Sequence, residues 1–323
     1  MANILITNVC NADCTFCFAR ENARGSLVFI GLEKLHDHID FLQSSGLSQV
    51  RLMGGEPTIH PQFQEIVSMI ASTGLDLILF SNGFIPENNL PCLQEMPAEK
   101  LALLINVNAE GKGKNFDIQR QRVLKCLNDK VTLGFTILKP NFDLFPYFRW
   151  INDYGLQRKI RLGFAQPIFG GGNQFLSPKL YKNAARSILI NAKAAHLENI
   201  SLEFDCGFVR CMFTDEEWQQ LDEMGVNSES HCAPNLDIGM DGTVFHCFSL
   251  SQIATSLERV NTTLQALGEL NELREPFRQV GIYPDCSNCD ELHQGRCCGG
   301  CLSLTLQRFH DLTPEKFVSL LLK

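Results

Sequence analysis

"ANILITNVCNADCTFCFAR", residues 2–20, joins a short apolar run to three thiols, Cys10, Cys14 and Cys17, held within eight residues. The run is too short, and lacks the basic start, to be a secretion signal. Five runs of the same β-rich character follow: "QVRLMG" (49–54), "LDLILFS" (75–81), "LALLINVN" (101–108), "VTLGFTIL" (131–138) and "KIRLGFAQP" (159–167). Between them lie segments of helical period, "LEKLHDHIDFLQSSG" (32–46), "FQEIVSMIASTG" (63–74), "FDIQRQRVLKCLND" (116–129) and "FPYFRWINDYG" (145–155). Several of these close on Gly or Asn-Asp, as helix ends should. Such alternation implies parallel strands joined by crossover helices. Six units precede residue 200, too few for an eight-unit barrel. The expected fold is therefore α/β, a partial (β/α)6 barrel over residues 1–200. In barrels of this kind chemistry gathers where the strands end, and the thiol triplet follows the first strand onto that face. A long helical segment, "SPKLYKNAARSILINAKAAHLEN" (177–199), then leads into residues 201–323, read as a smaller, Gly- and Cys-rich α+β domain.

Composition narrows the function. The chain has 323 residues, 45% hydrophobic and 20% charged, which is ordinary for a globular protein. A net charge of -8 argues against a surface built for nucleic acid or anionic membrane. No segment approaches the roughly 20 apolar residues of a membrane span. A cytoplasmic location is expected, and there 14 cysteines are anomalous, because thiols are kept reduced and structural disulfides are rare. Cysteine-dense cytosolic chains are more often metal proteins. Nine of the cysteines lie between Cys206 and Cys301, whereas Cys92 and Cys126 stand alone and read as packed or surface thiols.

Four- and three-residue steps on a loop let Cys10, Cys14 and Cys17 converge on a small volume. A structural zinc site would need a fourth protein ligand. His36, His38 and Asp13 are the candidates, and nothing in the spacing fixes them there. A four-iron cluster on three thiolates instead leaves one iron open for a substrate, which explains the missing fourth cysteine. The pattern Cys10-x3-Cys14-x-Phe16-Cys17 resembles the signature of the radical S-adenosylmethionine (SAM) enzymes, C-x3-C-x-aromatic-C. After the second strand comes "MGGEP", with Gly54, Gly55, Glu56 and Pro57; a plain reading is a Gly turn with Pro opening a helix. The resemblance implies that the exposed backbone here meets the methionyl ammonium of SAM, a task that glycine suits because no Cβ blocks the approach. It also implies that Phe16, Ser81 and Asn82 in "SNG", and Asn108 in "NVNAEG" where a serine is frequent, line the SAM pocket. Asn141 and the "FGGGN" loop (169–173) are weaker candidates.

The distal cysteines form a second pattern. "CAPNLDIGMDGTVFHC" reads C-x9-G-x4-C from Cys232 through Gly242 to Cys247, and "CSNCDELHQGRCCGGC" supplies Cys286, Cys289, Cys297, Cys298 and Cys301. Paired C-x2-C also occurs in zinc ribbons. The whole series resembles the SPASM auxiliary domain of radical SAM enzymes, which holds one or two further [4Fe-4S] clusters. It departs from that pattern in two ways: seven residues separate Cys289 from Cys297 where five are usual, and no cysteine follows Cys301. Cys206 and Cys211, in "EFDCGFVRCMF", would supply the missing ligands, making eight for two clusters. Cys298 is then the spare thiol and a candidate hydrogen-atom donor. His246 and His293 read as core or solvent residues, "TDEEWQQLDE" (214–223) as a solvated acidic helix face, and "RQRVLK" (120–125) as a single basic face.

The resemblance implies an enzyme that reductively cleaves SAM, giving a 5′-deoxyadenosyl radical that activates a C–H bond. A reductant such as flavodoxin or ferredoxin is implied. The leading substrate class is a ribosomally synthesised precursor peptide, modified by cross-linking, epimerisation or oxidation. Because the first strand begins at residue 2, its leader is expected on the barrel or on a separate leader-binding protein. The rivals are a radical SAM dehydrogenase of a small molecule and a non-catalytic iron-sulfur or zinc protein.

Overall fold

The computed structural model describes residues 1–19, 28–108, 116–227, 232, 235–309, 312, 313, 316 and 319. Alternation of strand and helix runs through most of it. Strands β1 (Ala2–Thr7), β2 (Gln49–Gly54), β3 (Asp76–Ser81), β4 (Leu101–Asn106), β5 (Val131–Ile137) and β6 (Lys159–Phe164) fall on the six apolar runs. The crossovers carry α1 (Leu32–Ser44), α2 (Phe63–Thr73), α3 (Leu90–Glu95), α4 (Phe116–Leu127) and α5 (Phe145–Tyr154). Helices α2 and α5 stop at the left-handed Gly74 and Gly155.

Burial alternates along β2, β3 and β6, as a period of two requires, whereas β1 is buried on both faces. In β2, β3 and β6 the residues Val50, Leu52, Leu77, Leu79, Ile160 and Leu162 are fully buried. Their neighbours Met53, Phe80 and Arg161 are half-buried on the opposite face. The first set packs against the helices in one continuous core.

The sheet extends beyond the expected six strands. Helix α6 (Tyr181–Leu197) leads to β7 (Ser201–Phe204), which pairs in parallel with β6. Helix α7 (Asp215–Glu223) follows, opened by a capping box of Thr214 and Glu217. On the other side of β1, β8 (Leu236–Ile238) pairs in parallel, and β9 (Thr243–Phe245) and β10 (Ala254–Ser256) continue antiparallel. The result is one ten-stranded sheet, β10-β9-β8-β1-β2-β3-β4-β5-β6-β7. In a closed barrel the last parallel strand would return to β1; here β8 occupies that edge. The cysteine-rich region thus adds strands to the sheet of the first 200 residues. Gly242, at φ 91°, makes the tight β8–β9 turn, a conformation that side chains other than glycine rarely adopt. Helices α8 (Thr263–Arg278), α9 (Asp290–His293) and α10 (Leu302–Leu306) complete the described chain.

Candidate functional site

The loop after β1 carries Cys10, Cys14 and Cys17, all partly buried. The Cys17 N–H donates to the Cys14 carbonyl at 3.2 Å, and the Ala12 N–H points at the Cys10 sulfur at 3.4 Å. Three neighbouring strand ends hold this loop. From β2, Gly55 and Glu56 donate their N–H groups to the carbonyls of Thr7 and Val9, both at 2.8 Å. A Cβ on Gly54 would lie 2.2 Å from the Thr7 oxygen, and one on Gly55 2.0 Å from the Val9 oxygen. The glycines therefore have a reason within the chain itself: the backbone of the thiol loop passes directly over them.

From the third strand end, Asn82 donates to Asn11 Oδ1 at 2.8 Å and approaches the Cys10 sulfur at 3.6 Å. The Glu56 carboxylate, 0% exposed, fixes that strand end. It accepts from the Asn82 N–H at 2.7 Å, the Ser81 hydroxyl at 3.0 Å, and the Thr58 hydroxyl at 2.6 Å and N–H at 3.2 Å. Burial pushes the Glu56 carboxyl upward, opposed by these hydrogen bonds. From β6, Asn173 donates to the Phe16 carbonyl at 3.0 Å and the Gln174 N–H to that of Thr15 at 2.9 Å. The "FGGGN" loop thus clamps the thiol loop.

Other candidates are spent locally or lie apart. Asn108 pairs both ends of its amide with the Thr136 backbone, at 2.7 and 3.0 Å, which extends the β4–β5 pairing. Asn141 is exposed on the loop after β5. In "NVNAEG", residues 109–111 lie outside the described residues. Pro57 opens a single 3-10 turn, as its fixed φ favours.

One residue the sequence reading misjudged is Arg120. "RQRVLK" is not a single solvated basic face: Arg120 is buried, whereas Arg122 is exposed and pairs with Glu87. Arg120 donates to the carbonyls of Asn82 (3.3 Å) and Val107 (2.8 Å) and lies 4.5 Å from the Phe84 ring, bridging the ends of β3 and β4. A signal was present, since Arg120, Val123, Leu124 and Leu127 share one helical face.

Eight of the nine distal thiols sort into two sets by the neighbours whose charge each one feels. Burial first, then Cys301, Cys232 and Cys247 among its neighbours, pushes the Cys206 thiol well up. Burial, then Cys301 and Cys232, does the same to Cys247. Cys301 is pushed up to about 12 by burial, then by Cys232. Separately, burial followed by Cys297 and Cys286, with Cys289 contributing, pushes Cys211 up to about 11. Cys211, Cys286, Cys289 and Cys297 line one cavity of about 430 Å³, beside Tyr283 and Phe213. The quartets are Cys206, Cys232, Cys247, Cys301 and Cys211, Cys286, Cys289, Cys297. Cys298 lies between them, its sulfur accepting the Cys232 N–H at 3.4 Å.

Burial holds Cys206, Cys247 and Cys301 as thiols, and a bound cation reverses that preference. An all-sulfur donor set suits iron-sulfur chemistry. Among the described residues, no three His, Cys, Asp or Glu side chains are close enough to hold a single metal ion. His293 is exposed and His246 buried. His246 is held neutral, at about 3, by burial and then by Arg274 and Arg278. The β6 loop bridges to this region, with the Phe169 N–H donating to the Ser249 carbonyl at 3.0 Å and the Ser303 hydroxyl to that of Pro167 at 2.6 Å.

A sheet of parallel strands with a three-thiol loop at its C-terminal edge defines a class of proteins, the radical SAM fold. The family model described as the Radical SAM superfamily matches residues 4–111, the stretch that carries the thiol loop and the first four strands. GTP 3',8-cyclase of Alkaliphilus oremlandii is 26% identical over 173 residues, 51% of this chain and 52% of that protein. The mitochondrial GTP 3',8-cyclase of Arabidopsis thaliana is 25% identical over 171 residues, 51% of this chain and 43% of that one. The chain thus spans about half the length of these curated relatives. Among solved structures, Streptococcus suis SuiB bound to S-adenosylmethionine is similar with TM-score 0.69 at 13% identity, over 97% of this chain and 75% of that one. The anSMEcpe structure with bound AdoMet gives 0.64 at 15% identity, over 100% and 98%. These two show the fold.

Proposed function

We propose that the protein is a radical SAM enzyme that modifies a ribosomally synthesised peptide, with residues 1–200 as the catalytic barrel and 201–323 as a SPASM-like auxiliary domain. The observation that carries this reading is the division of the distal thiols into two quartets beside a three-thiol barrel loop. Cys10, Cys14 and Cys17 hold the barrel cluster, and the two quartets hold auxiliary [4Fe-4S] clusters. When bound, the barrel cluster and SAM supply a 5′-deoxyadenosyl radical for C–H activation.

The chain's own residues position and enclose. Glu56 keeps the Asn82 backbone against the thiol loop. Asn173 and Gln174 hold the loop from β6. Gly54, Gly55, Pro57, Ser81, Asn82 and Phe16 would border the SAM site, whereas Asn108, paired with the Thr136 backbone, and the exposed Asn141 take no part in it. Arg120 braces two of the strand ends. Cys298 stays outside both quartets, and its role as hydrogen donor is the one an epimerase would need.

Two observations support a peptide substrate. The cysteine-rich region is an integral part of the fold shared with SuiB, and a SuiB structure bound to its precursor peptide SuiA is similar over 97% of this chain, at TM-score 0.68 and 12% identity. A second reading, a small-molecule radical enzyme, is favoured by the GTP 3',8-cyclases that match half of the chain. Anaerobic incubation with SAM, dithionite and either GTP or a precursor peptide encoded beside the gene separates them. A mass change in the peptide that depends on SAM supports the first reading. Conversion of GTP, with the peptide unchanged, overturns it. Flavodoxin or ferredoxin is the expected physiological reductant.

A further inference from the structure

Helix α8 turns two arginines toward one cysteine. Arg274 is 2% exposed, yet its guanidinium reaches no carboxylate among the described residues. It donates to the Cys232 sulfur at 3.5 Å and contacts His246 Nδ1, and its Nε has no partner. Four residues on, Arg278 donates to the Cys232 carbonyl at 3.0 Å. A buried cation without a counter-ion is strongly disfavoured. Arginine is always charged, so it cannot escape by losing its proton. Among the described residues the guanidinium points at the Cys232 sulfur, so negative charge on the quartet of Cys206, Cys232, Cys247 and Cys301 would stabilise it.

We infer that Arg274 is a positioning residue for the auxiliary centre of this quartet, raising its reduction potential through its charge and its N–H···S hydrogen bond to Cys232. The inference rests on reading the four thiols as cluster ligands. The potential of such a centre depends on its net charge and on hydrogen bonds to its sulfurs. On reduction the centre takes up one electron and becomes more negative by one charge. A fixed cation at the sulfur stabilises that state over the oxidised one. The second quartet lines a surface cavity, where Arg210 is paired with Asp215 and Glu291; Arg308, beside Cys286, is half-buried and donates to the carbonyls of Val280, Gly281 and Tyr283 rather than to a sulfur. The two auxiliary centres are thereby expected to differ in potential, the one beside Arg274 being the easier to reduce.

The test is an EPR-monitored dithionite titration of the full anaerobically reconstituted chain. Arg274→Gln should keep its iron and shift one auxiliary signal to a more negative midpoint, leaving the other signals in place. Arg274→Lys, which keeps the charge and moves the donor, should fall between Gln and wild type. An unchanged midpoint in an iron-replete Arg274→Gln protein overturns the inference. Should that variant lose the cluster, wild-type protein carrying guanidino-15N arginine decides. A 15N coupling on the reduced auxiliary centre in pulsed EPR supports the contact, and its absence overturns it. Unchanged iron in Cys232→Ala would instead sink the ligand assignment beneath the inference, a separate failure that the iron content identifies.

Discussion

The barrel thiols and the distal thiols solve one problem in opposite ways. Cys10, Cys14 and Cys17 are neighbours in sequence, on one loop, and three strand ends hold that loop from outside. The distal quartets are assembled from segments far apart: Cys206 follows β7, Cys247 follows β9, and Cys301 opens α10. A local triplet can leave a metal position open because the scaffold behind it is already complete. A quartet gathered from four segments closes around its metal and ties those segments together. On the function proposed above, the first design suits reaction, and the second suits cohesion and electron transfer.

The largest effect expected from this difference is in the triple variant Cys10→Ala/Cys14→Ala/Cys17→Ala. 5′-Deoxyadenosine formation with dithionite should vanish, while iron falls only from about twelve to about eight per chain, one four-iron cluster of three. Loss of all iron would show that the barrel and distal centres do not assemble independently.

Next in size is the partition of the quartets. Cys232→Ala/Cys247→Ala should lose no more iron than Cys232→Ala alone, about four per chain, whereas Cys232→Ala/Cys297→Ala should lose about eight. Equal losses in the two double variants would dissolve the partition. Iron analysis with Mössbauer spectroscopy on anaerobically purified protein reads this directly.

The partition was not legible in the sequence, for a physical reason. Periodicity reports which face of an element is buried, and it recovered β1 to β6 and four of the five helices between them, missing the six-residue α3. It carries nothing about which distant segments meet. The three-residue β8 has too few positions to show a period, and its parallel pairing with β1 across more than 230 residues is a purely tertiary fact. The thiol loop was legible because its ligands are local. Glu56 was visible as part of a motif, and its two hydrogen bonds from Thr58 are local, but those from Ser81 and the Asn82 N–H come from the end of β3, which only the fold brings beside it. Arg120 was misread although its apolar helical neighbours were in plain view.

A smaller effect is expected at Cys298. Its sulfur accepts the Cys232 N–H, so it touches a quartet without completing one. Cys298→Ala should keep about twelve irons. If peptide turnover then stops after SAM cleavage, the donor role gains support; if iron falls, Cys298 is a ligand and the eight-ligand assignment fails.

The smallest effect tests the joint between the two regions. Asp237 of β8 is 4% exposed and accepts from the Asn3 amide of β1 at 2.6 Å, a hydrogen bond across the seam where the distal strands meet the barrel. Burial raises its carboxyl to about 7 from 3.8, with the Asn3 hydrogen bond opposing. The folded protein therefore holds a proton here that the unfolded chain releases between about pH 4 and 7. Fewer protons are bound in the unfolded state over that window, so this residue's contribution to stability falls as pH rises through it. Above about 7 the carboxylate is charged in both states, and its burial cost stays constant. Asp237→Asn mimics the protonated acid and keeps an oxygen for Asn3 to donate to. The variant should match wild type near pH 4 and exceed it by roughly 1–3 kcal/mol at pH 8. Anaerobic denaturant titration at the two pH values, followed by fluorescence and by cluster absorbance, measures it. If barrel and distal regions unfold together, both probes should gain stability equally. A gain in one probe alone would mean that the seam divides two cooperative units, and no gain at pH 8 would mean that the buried carboxyl is not strained by its charge.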